Sequence, residues 1–276
     1  MDPQIVYALV LAATGVIVGF ACGLLGVGGG FIMVPVQIWA LSSSGIDPTI
    51  AVRVAFGTSL AVILPTALSG CHGHYCRGAV LWRQGITLGL SGLAGALTGG
   101  TIAAHAPGDL LKMVFGVVLL AGTLRMLLAG KIRSSEVQEE GLLPYILWGF
   151  AVGVVSGMTG IGGGVILVPA MVVGLGFSMH QAVGTSSVAI AFNSVGGTLA
   201  YALNGLGIAG LPLHSVGYID LLQFALLAGT SVPMAQLGAR AAHRLPGEQL
   251  RYVFMALMIY IGLRMMGVFA WLGLPI

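Results

Sequence analysis

Long apolar runs separated by short polar stretches follow one another along the whole chain. In the first part they cover residues 5–25, 31–41 and 50–69, a segment that ends near Ala104 after a polar loop at 70–83, and a run that ends at Leu128. In the second part they cover residues 143–156, 165–176, 181–203 and 216–242, and a last run follows Pro246-Gly247-Glu248. Runs of helical length, without the alternating pattern of a membrane barrel, predict an all-α polytopic membrane protein.

Composition supports the same class of protein. The chain of 276 residues is 57% hydrophobic and only 7% charged, and its mean hydropathy is +1.02. A soluble globular protein carries roughly 25% charged residues, so this chain has too few to cover a surface in water. The net charge of +3 says little about nucleic acid and is better interpreted as a signal of membrane topology.

A glycine-rich stretch interrupts the apolar pattern twice. Residues 26–35 read Gly-Val-Gly-Gly-Gly-Phe-Ile-Met-Val-Pro, and residues 160–169 read Gly-Ile-Gly-Gly-Gly-Val-Ile-Leu-Val-Pro, an offset of 134 residues. Each glycine costs roughly 0.5–1 kcal/mol inside a helix relative to alanine. A continuous helix over residues 5–41 would be about 55 Å long, against about 30 Å of hydrocarbon, so the chain must break or turn back here.

Other short sequences also recur at similar offsets. Gly57-Thr58-Ser59 returns as Gly184-Thr185-Ser186, and Leu124-Arg125-Met126 returns as Leu263-Arg264-Met265. The repeat therefore covers the whole chain. It predicts a first membrane repeat at residues 1–130, a polar linker at 131–142 and a second membrane repeat at 143–276.

Basic residues indicate how the two repeats are oriented. In the first half the loop with Arg77 and Arg83 is basic, whereas the next loop has only Lys112. In the second half the pattern is reversed: the loop at 204–215 has no Lys or Arg, and the following one has Arg240, Arg244 and Arg251. By the positive-inside rule the repeats are inverted. Each half is expected to hold a glycine-interrupted (broken or re-entrant) helix pair plus three further transmembrane helices. With Lys131 and Arg133 inside, both termini are expected outside.

The glycine stretches suit an anion. A helix that starts at such a loop presents free backbone N–H groups and the positive end of its dipole, and inverted repeats place such breaks together near the midplane. The candidate substrate-binding residues are therefore Gly26, Gly28, Gly29, Gly30, Gly160, Gly162, Gly163 and Gly164. The alternative is that these glycines only allow close helix packing.

Polar side chains in the apolar segments extend this candidate site. The hydroxyls of Thr58, Ser59, Thr185 and Ser186 are candidate donors, although Ser and Thr also bond to carbonyls of their own helix. Arg53 and His180 each lie four residues before the Gly of a Gly-Thr-Ser triplet, and ionisable residues in membrane segments suggest function. Arg53 could instead extend to the interface. Asn193 falls in the middle of its segment and is a candidate cavity residue.

Other chemistry is not indicated. The triplets fall short of the Gly-x-Ser-x-Gly elbow of hydrolases, no nucleotide-binding loop occurs, and no catalytic residue or cofactor is expected. The cluster Cys71-His72-Gly73-His74-Tyr75-Cys76 lacks typical zinc spacing, so an ordinary loop is favoured over a metal site. Cys22 is interpreted as a packing residue and Asp220 as an interface or capping residue.

The chain resembles the TauE/SafE family of sulfite exporters over its full length. The resemblance rests on Gly19-x3-Gly23-x2-Gly26-x-Gly28-Gly29-Gly30-x4-Pro35, on Gly153-x3-Gly157-x2-Gly160-x-Gly162-Gly163-Gly164-x4-Pro169, and on the Gly-Thr-Ser triplets. It implies export of small sulfur-containing anions, such as sulfite or organosulfonates, across a cytoplasmic (inner) membrane.

The prediction is a secondary transporter that is not an enzyme, with a small anionic substrate and the lipid bilayer as its partners. Either the membrane potential or a proton could drive it. A passive anion channel, an uptake carrier and a non-transporting scaffold or sensor stay open as alternatives.

Overall fold

The computed structural model describes residues 3–128, 141–242 and 247–268. Its helices are α1 (Pro3–Leu25), α2 (Gly30–Ser43), α3 (Pro48–Tyr75), α4 (Trp82–His105), α5 (Gly108–Leu128), α6 (Leu142–Thr159), α7 (Gly164–Gly174), α8 (Met179–Asn204), α9 (Leu221–Ala242) and α10 (Gly247–Met265). Strands β1 (Ser215–Val216) and β2 (Ile219–Asp220) form an antiparallel hairpin before α9. Lys131 and Arg133, on which the predicted orientation depends, and most of the predicted linker lie outside the described residues.

Six of the described helices are long and apolar enough to cross a membrane: α1, α3, α4, α6, α8 and α9. Together with the ten described helices and the single short hairpin, this confirms the all-α polytopic membrane fold.

Two predicted segment boundaries are wrong. The polar loop expected from residue 70 is helical as far as Tyr75, because Gly70 and Gly73 pack against Gly23 and Ala239. Close helix packing outweighs the low helix propensity of glycine there. The helix expected from residue 216 starts only at Leu221, because residues 215–220 form the hairpin.

The packing partners of the glycines reveal the directions of the helices. Along α1, Gly15 faces Leu227 and Gly23 faces Ala235, so α1 and α9 run in the same direction. The second half repeats this arrangement, since Gly149 of α6 faces Leu88 of α4 and Gly157 faces Ala96.

The central helices α3 and α8 run in opposite directions. Gly57 near the start of α3 faces Tyr201 near the end of α8, whereas His74 at the end of α3 faces Gly184 near the start of α8. Helix α3 is parallel to α9, because Thr58 bonds to Asp220 and Ser69 to Val232. Helix α4 is parallel to α8, since Gly85 faces Val188 and Gly100 faces Ala200. Helices α1, α3 and α9 therefore run opposite to α4, α6 and α8. Equivalent helices of the two halves run in opposite directions, as an inverted repeat requires.

Each glycine-interrupted helix pair folds back on itself. The start of α1 and the end of α2 lie on the same face of the protein, where Tyr7, Leu41 and Ser44 line one cavity. In the second half the ring of Tyr145, near the start of α6, lies 6.4 Å from the ring of Phe177, just after α7. Helix α2 thus returns to the face where α1 starts, and α7 returns to the opposite face, where α6 starts.

Asp220 ends the hairpin and caps α9, as the sequence suggested. Its Oδ1 atom accepts hydrogen bonds from the N–H groups of Leu222 at 2.9 Å and Gln223 at 3.1 Å. Burial raises the pKa of the Asp220 carboxyl above its ordinary value of 3.8, although the N–H groups of Gln223 and Leu222 and the nearby His214 act in the opposite direction. The folded protein therefore binds this proton more tightly than the unfolded chain does.

The first prediction concerns this carboxyl. Because its pKa is raised in the folded state, its contribution to stability falls as the pH rises from about 3.8 through the raised value. Asp220→Asn keeps the cap, since Asn and Asp cap equally well, and removes the titration. We expect the melting temperature of wild type to fall relative to Asp220→Asn across that pH range. Relative to Asp220→Asn, Asp220→Ala should cost about 1 kcal/mol at any pH, because neither variant titrates here. Parallel curves for wild type and Asp220→Asn would contradict the prediction.

The second prediction concerns the glycine contacts between helices. A Cβ atom at Gly153 would collide with the backbone of Gly92, so Gly153→Ala must push α6 away from α4. Overpacking of this kind typically costs about 1–3 kcal/mol. A Cβ at Gly229 of α9 would meet no atom within 4 Å, so Gly229→Ala is the matched control and should be neutral or slightly stabilising. Thermal unfolding in detergent measures both variants, and equal melting temperatures would contradict the prediction.

Candidate functional site

Each glycine stretch forms a tight loop that joins two helices. Three glycines in each loop have positive φ angles: Gly26 (63°), Gly28 (86°) and Gly29 (72°) in the first, and Gly160 (68°), Gly162 (87°) and Gly163 (86°) in the second. Residues with a Cβ rarely adopt this conformation. The loops end α1 and α6 and start α2 and α7, so the first N–H groups of α2 and α7 lie within the protein core.

The two loops contact each other directly. A Cβ placed on Gly30 would lie 2.5 Å from the carbonyl oxygen of Gly160, and one placed on Gly164 would lie 2.5 Å from the Cα of Val27. Any side chain at these two positions would therefore force the loops apart. The structure brings together the eight glycines that the sequence singled out.

Two isoleucines close the centre of this contact. Ile63 of α3 and Ile190 of α8 occupy equivalent positions, and their exposed fractions are 0% and 1%. A Cβ on Gly28 would lie 3.5 Å from the Cγ2 atoms of both, and one on Gly162 would lie 3.3 Å from both. The centre between the loops is therefore occluded and apolar.

Two serines hold the loops across the halves. Ser59 Oγ of α3 donates to the carbonyl of Gly160 at 2.7 Å, and Ser186 Oγ of α8 donates to the carbonyl of Gly26 at 2.9 Å. We call these two hydrogen bonds the serine clamps. Each serine hydroxyl shares its single proton with a carbonyl of its own helix, that of Phe56 at 3.0 Å for Ser59 and that of Val183 at 2.9 Å for Ser186. Each half thus fixes the loop of the other half.

The two threonines of the triplets hold helix starts. Thr58 Oγ1 accepts the N–H of Asp220 at 2.9 Å, and Thr185 Oγ1 accepts the N–H of Leu81 at 3.0 Å. Asp220 and Leu81 directly precede α9 and α4. In this conformation, therefore, all four hydroxyls that the sequence singled out as ligands are hydrogen-bonded to the protein.

A third equivalent pair escaped the sequence analysis. His74 Nε2 lies 2.8 Å from the carbonyl oxygen of Gly23, and the hydroxyl of Tyr201 donates to the carbonyl of Gly157 at 3.1 Å. Both bonds fix the last turn of a helix that leads into a glycine loop. His74 and Tyr201 are 127 residues apart, the same offset as between the Gly-Thr-Ser triplets, so the sequence marks them as equivalent positions. Because the two residue types differ, the equivalence was not apparent.

Arg53 lies near the start of α3, towards the face where α1 also starts. Its guanidinium donates to the hydroxyl of Tyr218 at 3.1 Å and to the carbonyl of Ala106 at 3.0 Å, and its Cζ lies 5.7 Å from the centre of the Tyr218 ring. The buried Nε has no partner, and within the described part of the chain no carboxylate forms an ion pair with Arg53. His180, at the equivalent position of α8, is exposed.

Asn193 lies beside the second loop. Its Nδ2 is 3.5 Å from the carbonyl oxygen of Gly162, whereas its buried Oδ1 has no partner. Ser156, which the sequence analysis missed, also borders this loop and has a buried hydroxyl without a partner. An unpaired buried polar atom is visible only in the tertiary structure.

The Cys/His cluster is the end of α3 rather than a loop. Cys71 is buried, Cys76 follows the last helical residue, and His74 points towards Gly23. Within the described residues, no three His, Cys, Asp or Glu side chains come close enough to hold a metal ion.

A cavity of about 630 Å³ opens on the face where α1 starts. Its polar lining includes Tyr7, Ser44, His214 and Asp220, and the glycine loops do not reach it. This cavity is thus separate from the occluded centre.

The third prediction concerns the serine clamps. Ser59→Ala and Ser186→Ala each leave a loop carbonyl with one bond fewer, and a lost buried hydrogen bond costs about 1–3 kcal/mol. We expect both variants to lower the melting temperature. Thr98→Ala is the matched control, because its exposed hydroxyl bonds only to Ala94 of its own helix at 2.8 Å. Serine variants that behave like Thr98→Ala would show that the clamps do not hold the loops.

Comparison with known proteins agrees with this architecture. The family described as sulfite exporter TauE/SafE matches residues 11–265. A probable membrane transporter protein of Haemophilus influenzae is 26% identical over 261 residues, which cover 94% of this chain and 98% of that protein. One from Methanocaldococcus jannaschii is 28% identical over 258 residues, which cover 93% and 94%. One from Xylella fastidiosa is 31% identical over 202 residues, which cover 72% and 75%.

No solved structure matches the chain. These relatives are named probable membrane transporter proteins, and the matches to the first two cover nearly the whole of both chains. The family match spans both glycine loops and both serine clamps. The chain belongs to the TauE/SafE family of membrane transporters.

Proposed function

We propose that this protein is a secondary transporter that exports a small sulfur-containing anion, sulfite or an organosulfonate, across the cytoplasmic membrane. The description of its family as sulfite exporters supports the substrate class and the direction. The substrate binds between residues 26–30 and 160–164, where the two glycine loops now touch.

The observation that carries this proposal is the meeting of two helix starts in the protein core. The first residue of α2, Gly30, lies against Gly160, and the first residue of α7, Gly164, lies against Val27. Each helix start presents roughly half a positive charge, so the two together favour an anion without a fixed counter-charge. An anion held in this way can also be released, which transport requires.

The serine clamps supply two gates. Ser59 precedes Ile63 in α3, and Ser186 precedes Ile190 in α8. Because α3 and α8 run in opposite directions, the two clamps lie on opposite sides of the isoleucine pair. Release of one clamp at a time would open the site to one face of the membrane at a time, which is alternating access. The occluded centre supports a carrier rather than an open channel.

Arg53 would draw the anion from the central site towards the face where α1 starts, where an exported anion leaves. This half-buried cation has no carboxylate partner in the described structure, and its buried Nε is unpaired. With both termini outside, that face is the external one. An inside-negative membrane potential then drives the anion outwards by about 2.3 kcal/mol per charge per 100 mV.

The fourth prediction tests the site. In liposomes loaded with sulfite, we expect wild type to show saturable counterflow of sulfite and organosulfonates, and little counterflow of a carboxylate of similar size. Gly28→Ala and Gly162→Ala force a Cβ into a backbone with φ near 86–87° beside the isoleucine pair, so both should reduce this flux at least about tenfold.

The control is Gly45→Ala. Gly45 also has a positive φ, 82°, and a Cβ there would meet nothing within 4 Å. Gly45→Ala therefore introduces a similar backbone strain, but at a position away from the glycine loops. Flux that survives both loop variants would move the site elsewhere. A wild-type protein that carries no sulfur anion would overturn the proposed substrate class.

A further inference from the structure

The two halves surround their glycine loops with different polar residues. The repeat offsets match three positions of the first half with three of the second: Cys22 with Ser156, Thr66 with Asn193, and Ser231 of α9 with Gly92 of α4. The backbone is thus nearly symmetric at these positions, whereas the side chains are not.

In the first half the three matched groups, Cys22, Thr66 and Ser231, all have partners. Thr66 Oγ1 donates to the carbonyl of Val62 at 2.7 Å, and the hydroxyls of Thr66 and Ser231 are 2.7 Å apart. Because the Thr66 proton is used on Val62, Ser231 donates to Thr66. The Cys22 thiol faces the backbone of Gly28. No buried hydroxyl in this set is left without a partner.

In the second half the corresponding groups are unsatisfied. The carbonyl oxygen of Gly162 lies 3.5 Å from one end of the Asn193 amide. Because a carbonyl can only accept a hydrogen bond, that end of the amide is the nitrogen, Nδ2. The other end, Oδ1, packs against Gly92, which has no hydroxyl to offer. Ser156 Oγ is likewise buried without a partner.

These two side chains lie together at the second loop. Asn193 and Ser156 have exposed fractions of 1% and 0%. A Cβ at Gly163 would lie 3.1 Å from Asn193 Nδ2 and 3.2 Å from Ser156 Cβ. Native proteins rarely leave buried polar atoms unpaired, because each one costs free energy. Two such atoms beside the start of α7 indicate groups that a ligand satisfies.

We infer that the side chains beside the second glycine loop recognise the substrate, whereas the first loop contributes its helix start but no side chain. Ser156 Oγ donates to an acceptor oxygen of the ligand, and Asn193 Oδ1 accepts a hydrogen bond from it. The ligand must therefore combine anionic oxygens with one donor group. A sulfonate with an amino or hydroxyl substituent fits this requirement, and so does an oxyanion that keeps one proton, such as hydrogen sulfite. This inference rests on the function proposed above and specifies its substrate chemistry.

The fifth prediction tests the inference with two ligands of similar size. Isethionate carries a hydroxyl that ethanesulfonate lacks, and neither has another group that titrates near neutral pH. We expect wild type to bind isethionate about tenfold more tightly, since ethanesulfonate leaves Asn193 Oδ1 unpaired. Asn193→Thr, which installs the residue of the first half, should abolish this preference. Thr66→Val, at the equivalent position across the pair, should keep it.

Serine and cysteine exchanges provide a second measurement. Ser156→Cys introduces the residue found at the equivalent position of the first half, so it should fold, and it removes the strong hydroxyl donor. We expect it to weaken the binding of both sulfonates about equally, while Cys22→Ser leaves binding unchanged. Thermal unfolding without ligand verifies that each variant is folded. Sulfite binding is also measured in wild type and Asn193→Thr, at pH values where the ion keeps its proton and where it has lost it. This comparison separates hydrogen sulfite from substituted sulfonates as the ligand.

The outcomes separate the inference from the proposed function. Equal affinity of wild type for the two sulfonates, or a preference that survives Asn193→Thr and disappears in Thr66→Val, would overturn the inference and leave the proposed transport of sulfur anions intact. Failure of wild type to bind or carry any sulfur anion would overturn the proposed function and the inference with it.

Discussion

The contact between the two glycine loops is the constraint on which the rest of the structure depends. Gly30 lies against Gly160 and Gly164 against Val27, so the backbones meet with no space for a side chain. A loop that approaches another backbone this closely, with three positive φ angles, requires glycine. Each loop is held by a serine of the opposite half, so neither half can form the closed site alone. The helix directions, the two folded-back helix pairs and the serine clamps together bring these loops into contact.

The chemistry of the centre follows from its position in an apolar medium. A fixed charge between the loops would be costly to bury and would hold an anion too tightly to release it. Partial charges of helix starts avoid both problems. The fixed positive charge of Arg53 lies away from the centre, half-buried and stacked near Tyr218. In the function proposed above, attraction of the anion by Arg53 at the periphery is thus separate from weak binding at the centre.

Symmetry and its breaking have different consequences. The clamps, the threonine bonds to helix starts and the His74 and Tyr201 bonds occur in both halves, so the two loops are held in comparable ways. The polar residues beside the loops differ, because Thr66 is paired with Ser231 whereas Asn193 faces Gly92. In the proposed mechanism, the symmetric clamps allow access from both faces, and the asymmetric polar residues let one loop recognise the ligand.

The sequence by itself determined the membrane class, the duplication, the glycine loops and the family, because composition, apolar run length and repeated motifs are local properties of the chain. It also singled out Asn193 and the four hydroxyls of the Gly-Thr-Ser triplets as candidates. The tertiary structure decided what those hydroxyls do, since their partners lie 101 to 162 residues away. It decided that α3 extends to Tyr75 and that α9 starts after a hairpin, because packing across the halves outweighs local propensity. Ser156 emerged only there, since an unpaired buried hydroxyl is defined by its surroundings.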